Sequence, residues 1–233
     1  MKKVLVIDSG SGGVNVLAHC IRNGASGDFL YYADTKNAPY GNKSNRELKK
    51  ILCSILENVR PFFHFDIVLI ACNTMTTSAI QYVRRKYKNI IFIGTEPAVK
   101  PAREKFQEKD IVVMATKRTL ENLQTQGLCI LDLPKIIDEN IFEIKNIKSY
   151  IQKDLMLYKC KKAIVLGCTH FIVLKEIIKE VLPNIKIFDS QDGVAKRVKL
   201  FCGEGDYSVQ FMSSDKDPSI FAKHFQNQLF SSK

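Results

Sequence analysis

Short apolar runs alternate along the chain with longer segments in which apolar residues recur at helical spacing. The apolar runs predict eight β-strands: Val4–Ile7, Phe29–Tyr32, Ile67–Ala71, Ile90–Ile93, Ile111–Ala115, Ala163–Gly167, Ile185–Phe188 and Ser208–Met212. The helical spacing predicts α-helices at Arg46–Val59, Ser78–Tyr87, Ile147–Tyr158, Val173–Val181 and Ala195–Phe201. This alternation indicates an α/β fold in which parallel sheets carry helices on both faces. The stretch Gln126–Asn146 shows no clear pattern and receives no assignment.

Two distant segments share one pattern. Residues 67–74 read IVLIACNT, and residues 163–170 read AIVLGCTH. In each, an apolar strand is followed by a small residue, a cysteine and polar residues that open a helix. The repeat is too long for a solenoid and indicates two related lobes that face each other. Because ligands bind beyond the carboxyl ends of strands in open parallel sheets, both cysteines are expected at the ligand edge.

Composition narrows the function classes. The 233 residues are 45% apolar and 25% charged, which is ordinary for a globular enzyme. The net charge of +11 comes from scattered lysines and arginines between apolar residues, which favours solvated helix faces over a nucleic-acid surface. There is no run of 18 apolar residues, so no membrane span is expected. The first apolar run has four residues and ends at Asp8, so it predicts a strand and not a signal peptide. We therefore expect a cytoplasmic protein.

Seven cysteines are present, an odd number without metal-knuckle spacing, so neither a disulfide framework nor a zinc site is expected. Cys72 precedes Asn73 and Thr74, which are good helix N-caps. A helix start should lower the pKa of the Cys72 thiol. Cys168 occupies the same place in the second segment and is followed by His170, which can carry a proton. Buried structural roles are the alternative at each site, but two matched thiols favour chemistry.

Other candidates lie at predicted strand ends. Residues 8–13, DSGSGG, follow the first strand, and their glycines permit close ligand approach. Ser9 and nearby N–H groups can hold a carboxylate, while no nucleotide-binding pattern is satisfied. Asp8 is either a catalytic group or a helix N-cap. The turn Pro39–Gly41 presents backbone groups and a ring, and Thr116 and Thr119 offer hydroxyls or plain N-caps.

These motifs together resemble those of a known family. Residues 8–10 (DSG), 39–41 (PYG), 71–74 (ACNT), 116–119 (TKRT) and 167–170 (GCTH) are similar, in this order, to the motifs of glutamate racemases. That family belongs to the cofactor-independent aspartate/glutamate racemases. The similarity extends from Met1 to about Ser190, and the paired cysteine motifs are its most specific part.

The resemblance implies a fold, an activity and a set of site residues. It implies two pseudo-symmetric lobes, here expected at residues 1–96 plus 206–233 and at 97–205, with the active site between them. It implies that Cys72 and Cys168 are the acid and base, assisted by Asp8 and His170, without cofactor or metal. It also implies a homodimer that supplies D-glutamate for peptidoglycan. The implied substrate-binding residues are Asp8, Ser9, Pro39, Tyr40, Gly41, Asn73, Thr74, Thr116, Thr119, Asp138, Thr169 and His170.

The chain departs from the family pattern at several positions. Ser11 replaces a small aliphatic residue, and Asp138 stands where a glutamate is usual. Residues 75–77 (MTT) and 171–173 (FIV) also differ from the usual residues after each cysteine motif, and the second lobe is short. Two alternatives stay open: a racemase acting on aspartate or another amino acid, and a non-catalytic homologue that binds anions or nucleic acid.

Overall fold

The computed structural model describes residues 1–230 as two parallel sheets surrounded by helices. The strands are β1 Lys3–Asp8, β2 Gly27–Ala33, β3 Ile67–Ile70, β4 Ile91–Gly94, β5 Ile111–Met114, β6 Ala163–Leu166, β7 Lys186–Phe188 and β8 Tyr207–Ser213. The α-helices are α1 Gly12–Arg22, α2 Asn45–Val59, α3 Asn73–Lys86, α4 Val99–Arg103, α5 Lys117–Leu123, α6 Leu133–Glu139, α7 Lys148–Met156, α8 Lys175–Val181, α9 Gln191–Cys202 and α10 Ser219–Phe230. Short 3₁₀ helices lie at Thr35–Asn37, Tyr40–Asn42, Glu108–Asp110, Ile144–Ile147 and Thr169–Leu174.

The strands form one sheet of five and one sheet of three. The first sheet has the order β4-β3-β1-β2-β8, and the second has the order β5-β6-β7. Every pairing in both sheets is parallel. The predicted α/β class with two helix-flanked parallel sheets is therefore confirmed. The lobe boundaries at 96/97 and 205/206 stay predictions.

Strand alternation gives the first sheet a core on each face. Val4 and Val6 of β1 point to one face, where they pack with α1, α9 and α10. Leu5 and Ile7 point to the other face and pack with α2 and α3. Both faces are covered, which explains why the central strands read as continuous apolar runs. The same argument holds for β6 in the second sheet, whose four residues are all buried.

The sequence predicted the bounds of the strands more accurately than the bounds of the helices. All eight strands lie within two residues of their predicted bounds. Helix α3 begins at Asn73, five residues before the predicted start, because its first turn is polar and faces the space between the sheets. Cys168 is followed by the 3₁₀ helix Thr169–Leu174, and α8 begins only at Lys175. The unassigned stretch Gln126–Asn146 contains α6.

Two further observations concern the state of the cysteines and the possibility of a membrane-spanning helix. The seven cysteines are free thiols. Among residues 1–230, no helix is long and apolar enough to cross a membrane.

Candidate active site

A cavity of about 180 Å³ lies between the carboxyl edges of the two sheets. Ten of the residues singled out in the sequence line it: Ser9, Pro39, Tyr40, Gly41, Cys72, Thr74, Thr116, Asp138, Cys168 and His170. Four others do not line it, namely Asp8, Asn73, Thr119 and Thr169. The structure thus brings residues that follow strands of both sheets around one cavity. This agrees with the rule that ligands bind beyond the carboxyl ends of parallel strands.

Cys72 and Cys168 occupy equivalent backbone positions. Each follows the end of a middle strand, β3 or β6, by two residues, and each has extended backbone angles. The residues before them, Ala71 and Gly167, each donate an N–H bond of 2.8 Å to the neighbouring strand. Both side chains are only 6% exposed. The internal repeat therefore places two thiols at matching sheet edges on one cavity.

The predicted net lowering of the Cys72 pKa is wrong, although the helix start itself acts in the predicted direction. Burial raises the pKa of the Cys72 thiol well above its usual value, and the nearby Asp8 carboxylate raises it further. The N–H groups of Met75 and Thr74, at the start of α3, act in the expected direction. Desolvation outweighs them because the thiol is almost fully buried. The surroundings of Cys72 therefore favour its thiol form over the thiolate.

Asp8 caps the start of α1 with only one of its two carboxylate oxygens. Its Oδ2 accepts N–H bonds from Gly13 at 2.9 Å and Gly10 at 3.2 Å, at the start of α1. Its Oδ1 is buried and has no hydrogen-bond partner in the part of the chain that the structure describes. Burial raises the pKa of Asp8 to about 6, against the lowering effects of His170 and the two N–H groups. Asp8 thus holds a carboxyl group that titrates near neutral pH beside Cys72.

Cys168, His170 and Asp138 form a row of contacts on the opposite side. Cys168 Sγ lies 3.8 Å from His170 Nδ1. His170 Nε2 lies 3.2 Å from Asp138 Oδ1, but its N–H is not directed at the oxygen, so the contact is an ion pair and not an aligned hydrogen bond. Burial would lower the pKa of His170, but the Asp138 carboxylate raises it well above its usual value. In turn, burial would raise the pKa of Asp138, but His170 and Ser11 lower it to about 2.

The glycine loop of the first sheet lies directly against this row. A Cβ atom on Gly10 would lie 2.2 Å from Asp138 Oδ2, and one on Gly12 would lie 2.5 Å from His170 Nδ1. Real Cβ atoms do not approach other atoms so closely. Residue 12 must therefore be glycine for its loop to lie this close to the His170 backbone nitrogen, whereas a side chain at residue 10 would require the Asp138 side chain to move.

Three threonine hydroxyls form a cluster between the sheets. Thr74 Oγ1 lies 2.9 Å from Thr116 Oγ1 and 3.2 Å from Thr119 Oγ1. Thr116 also accepts the N–H of Thr119 at 3.3 Å and caps α5. Thr116 is thus both an N-cap and a cavity residue, whereas Thr119 is buried behind it.

The remaining predicted residues have mostly structural contacts. The Tyr40 hydroxyl donates to Asp34 Oδ2 at 2.7 Å, and its ring belongs to the apolar core that contains Leu5 and Ile7 of β1. Asn73 donates to the Thr95 carbonyl at 2.7 Å and does not cap α3. Besides Asp8 Oδ1, the buried atoms Asn73 Oδ1 and Thr169 Oγ1 have no hydrogen-bond partner within residues 1–230.

Several contributors to the site were not singled out as site residues. The Tyr31 hydroxyl donates to the Gly10 carbonyl at 2.6 Å and so helps to fix the position of the glycine loop. The exposed Lys117, Lys135 and Lys216 stand around the cavity, as does the half-buried Cys129. No local pattern marks these residues, because only the tertiary fold brings them to the cavity.

Comparison with known proteins agrees with this geometry. A glutamate racemase from Clostridium acetobutylicum is 34% identical, covering 92% of this chain and 93% of its own. One from Clostridium novyi is 36% identical, covering 82% of this chain and 80% of its own. No protein-family model matches the chain.

Solved structures share the fold. The glutamate racemase of Campylobacter jejuni superposes with a TM-score of 0.80 at 24% identity, covering 99% of this chain and 100% of its own. That of Escherichia coli, in complex with L-glutamate and the activator UDP-MurNAc-Ala, superposes with a TM-score of 0.74 at 23% identity, covering 99% and 93%. With relatives above 30% identity over most of both sequences, the chain belongs to the glutamate racemase family.

Proposed function

We propose that the protein interconverts L- and D-glutamate, with Cys72 and Cys168 as base and acid on opposite faces of the α-carbon. The observation that carries the proposal is the pair of equivalent thiols on one cavity. Inversion needs a base on one face and an acid on the other, since a single base would return the proton to the side it left. Two facing strand ends supply both groups by symmetry.

The proton balance follows from the two thiols. In one direction the thiolate of one cysteine takes the α-proton and becomes a thiol, and the other cysteine's thiol delivers its proton to the opposite face. The amino acid is inverted with no net change in atoms, and the two cysteines exchange protonation states. Proton exchange with solvent then resets them for another turnover in the same direction.

The two thiols have different charged neighbours. His170 Nδ1 lies 3.8 Å from Cys168 Sγ, and the Asp138 carboxylate raises the pKa of this imidazole well above its usual value. Cys72 is buried beside the Asp8 carboxylate, which favours its thiol form. We infer that Asp8 and His170 assist proton movement at their own thiols.

The carbanion has to be stabilised by polar groups around the cavity. Backbone N–H groups at the start of α3 and the hydroxyls of Thr74 and Thr116 stand at this edge. Loss of one such preorganised donor in other enzymes costs about 100- to 1,000-fold in rate. The lysines around the cavity, Lys117, Lys135 and Lys216, suit a substrate with two carboxylates by raising its local concentration.

The broader role follows from the family. The reaction would supply D-glutamate for peptidoglycan, in the cytoplasm and by a homodimer, without cofactor or metal. Light scattering on the purified protein tests the dimer. Activity that persists after dialysis against a chelator, with no absorbance of bound pyridoxal, tests the absence of a cofactor.

Circular dichroism with L-glutamate and, separately, L-aspartate tests the activity. We expect the signal of L-glutamate to fall to zero as the racemic mixture forms. Inversion of aspartate alone would replace the proposal with an aspartate racemase. Inversion of neither, together with DNA binding that weakens steeply with salt, would replace it with the binding-only alternative.

A further inference from the structure

The hydroxyl of Ser11 is not used for helix capping. Ser11 is the N-cap residue of α1, yet its side chain makes no capping hydrogen bond. The nearby Asp8 carboxylate accepts the N–H of Gly13 instead. Ser11 is 2% exposed, so a buried hydroxyl is left to be satisfied elsewhere.

That hydroxyl reaches across to the other sheet. Ser11 Oγ donates to Asp138 Oδ1 at 2.5 Å, and Ser11 N donates to the same oxygen at 3.0 Å. Asp138 lies on α6, which packs in the core of the second sheet, whereas Ser11 begins a helix of the first. Hydrogen bonds to a charged carboxylate are about twice as strong as neutral ones. The elements packed on the two sheets are therefore joined by a partly buried, charge-assisted pair of bonds at the cavity.

The same carboxylate oxygen faces His170. Asp138 Oδ1 lies 3.2 Å from His170 Nε2, and His170 Nδ1 lies 3.8 Å from Cys168 Sγ. The contact with His170 is not an aligned hydrogen bond, so it constrains the direction of the carboxylate less than an aligned bond would. The two donors of Ser11 supply the missing constraint.

We propose that Ser11 is a positioning residue that fixes Asp138 against His170, so that the proton relay at Cys168 is complete only when the first sheet lies against the second. This inference rests on the proposed racemase function. It assigns to Ser11 a role at the Cys168 face alone, because its contacts lead to that thiol and not to Cys72.

Ser11→Ala removes the hydroxyl, and Ser11→Thr keeps one. The matched control is Ser44→Ala, because Ser44 is also an N-cap serine whose hydroxyl donates to a carboxylate, that of Glu47, but it lies outside the cavity. Elimination of HCl from each enantiomer of threo-3-chloroglutamate reports each face separately, since it needs a single proton abstraction. We expect Ser11→Ala to slow abstraction by Cys168 about 10-fold or more and abstraction by Cys72 less than about twofold. Ser11→Thr and Ser44→Ala should stay close to the parent at both faces.

A histidine titration by NMR gives a readout that needs no turnover. If Ser11 positions Asp138, the pKa of His170 in Ser11→Ala falls towards its usual value, because the carboxylate is no longer held beside it. The other titratable groups that interact with His170, namely Asp8, Cys168 and His224, are unchanged in this variant. Ser11→Ala should also add nothing to the loss caused by Asp138→Asn.

Three outcomes would overturn the inference: equal slowing at both faces, an unchanged or raised pKa of His170, or full additivity with Asp138→Asn. If the parent protein fails to turn over glutamate, the proposed function fails, and the NMR titration still decides whether Ser11 holds Asp138 against His170.

Discussion

Cys168 Sγ lies 3.8 Å from the Nδ1 atom of His170, and the Asp138 carboxylate raises the pKa of this imidazole well above its usual value. Cys72, at the equivalent position of the other sheet, has the Asp8 carboxylate as its charged neighbour instead. The backbone repeat is symmetric, but one thiol lies beside an imidazole and the other beside a carboxyl group. Variants at the two faces should therefore behave differently.

Replacing either catalytic thiol should leave a half-reaction. Cys72→Ser and Cys168→Ser should each nearly abolish racemisation, because a serine hydroxyl is a much poorer base than a thiolate. Each variant should still eliminate HCl from one enantiomer of threo-3-chloroglutamate, the one whose α-proton faces the surviving thiol. The family resemblance implies that Cys72 should act on the D form and Cys168 on the L form. The exposed Cys160→Ser is the matched control and should be fully active. Equal loss with both enantiomers in both variants would mean that the thiols are not face-specific.

Removing the imidazole should impair the Cys168 face most. His170→Asn should reduce racemisation about 100-fold or more, since proton transfer by a positioned group contributes about 10²- to 10⁴-fold. Exchange of the α-proton with deuterium oxide, measured by NMR for each enantiomer, should fall more for the L form. His19→Asn, at the surface and paired with Asp192, is the control and should change neither rate. A His170→Asn variant with equal exchange rates for both enantiomers would contradict the assignment.

Asp8 should make the folded protein less stable as pH rises. Burial raises its pKa from 3.8 to about 6, so the native state holds this proton more tightly than the unfolded state does. Its contribution is fully present below pH 3.8 and is lost as pH rises through about 6. A shift of this size corresponds to roughly 3 kcal/mol.

Urea denaturation at several pH values tests this. In Asp8→Asn the penalty is absent, so the free energy of unfolding of the variant relative to the parent should rise by roughly 2.4 kcal/mol between pH 4 and pH 7. A constant offset from the amide is expected and does not affect the slope. Asp206→Asn, at an exposed position, should show no such slope. The variant should also lose racemase activity, and a flat difference across this pH range would contradict the buried-charge interpretation.

The close approach at Gly12 gives a steric test. A methyl group at this position would lie 2.5 Å from His170 Nδ1 and 2.7 Å from the His170 backbone nitrogen. Gly12→Ala should therefore push the sheets apart, destabilise the fold by about 1–3 kcal/mol and reduce activity far more than stability. Gly193→Ala is the matched control, because nothing lies within 4 Å of the added atom. It should keep full activity and gain up to about 1 kcal/mol of stability. Retention of activity in Gly12→Ala would show that catalysis does not need this contact.

The strands and the two thiols could be read from the sequence because their signals are local. Ile67–Ile70 and Ala163–Leu166 are short apolar runs, and each is followed at the same spacing by a cysteine. The spacing of apolar residues and the position of the cysteine are enough to predict such features. Packing in the folded protein does not change them.

The features that could not be predicted from the sequence depend on packing between segments that are distant in the chain. Helix α6 has only seven residues and is held by Leu133 and Ile137 in the core of the second sheet, so its own sequence gives little signal. The raised pKa of Cys72 likewise results from burial, which a helix-start argument does not measure. The contact between Ser11 and Asp138 joins residues 127 positions apart, and only the closed arrangement of the sheets reveals it.

The position of β8 has a consequence for synthesis on the ribosome. This strand, Tyr207–Ser213, completes the first sheet by pairing with β2, although the whole second sheet lies between them in the chain. At about 5–20 residues per second, β2 waits for its partner for roughly 10–35 seconds of translation. During that interval its edge is open to pairing with another nascent chain. Newly made molecules are therefore most prone to aggregate before their last strand emerges, so slower initiation, which spaces ribosomes further apart on the message, should raise the yield of folded protein.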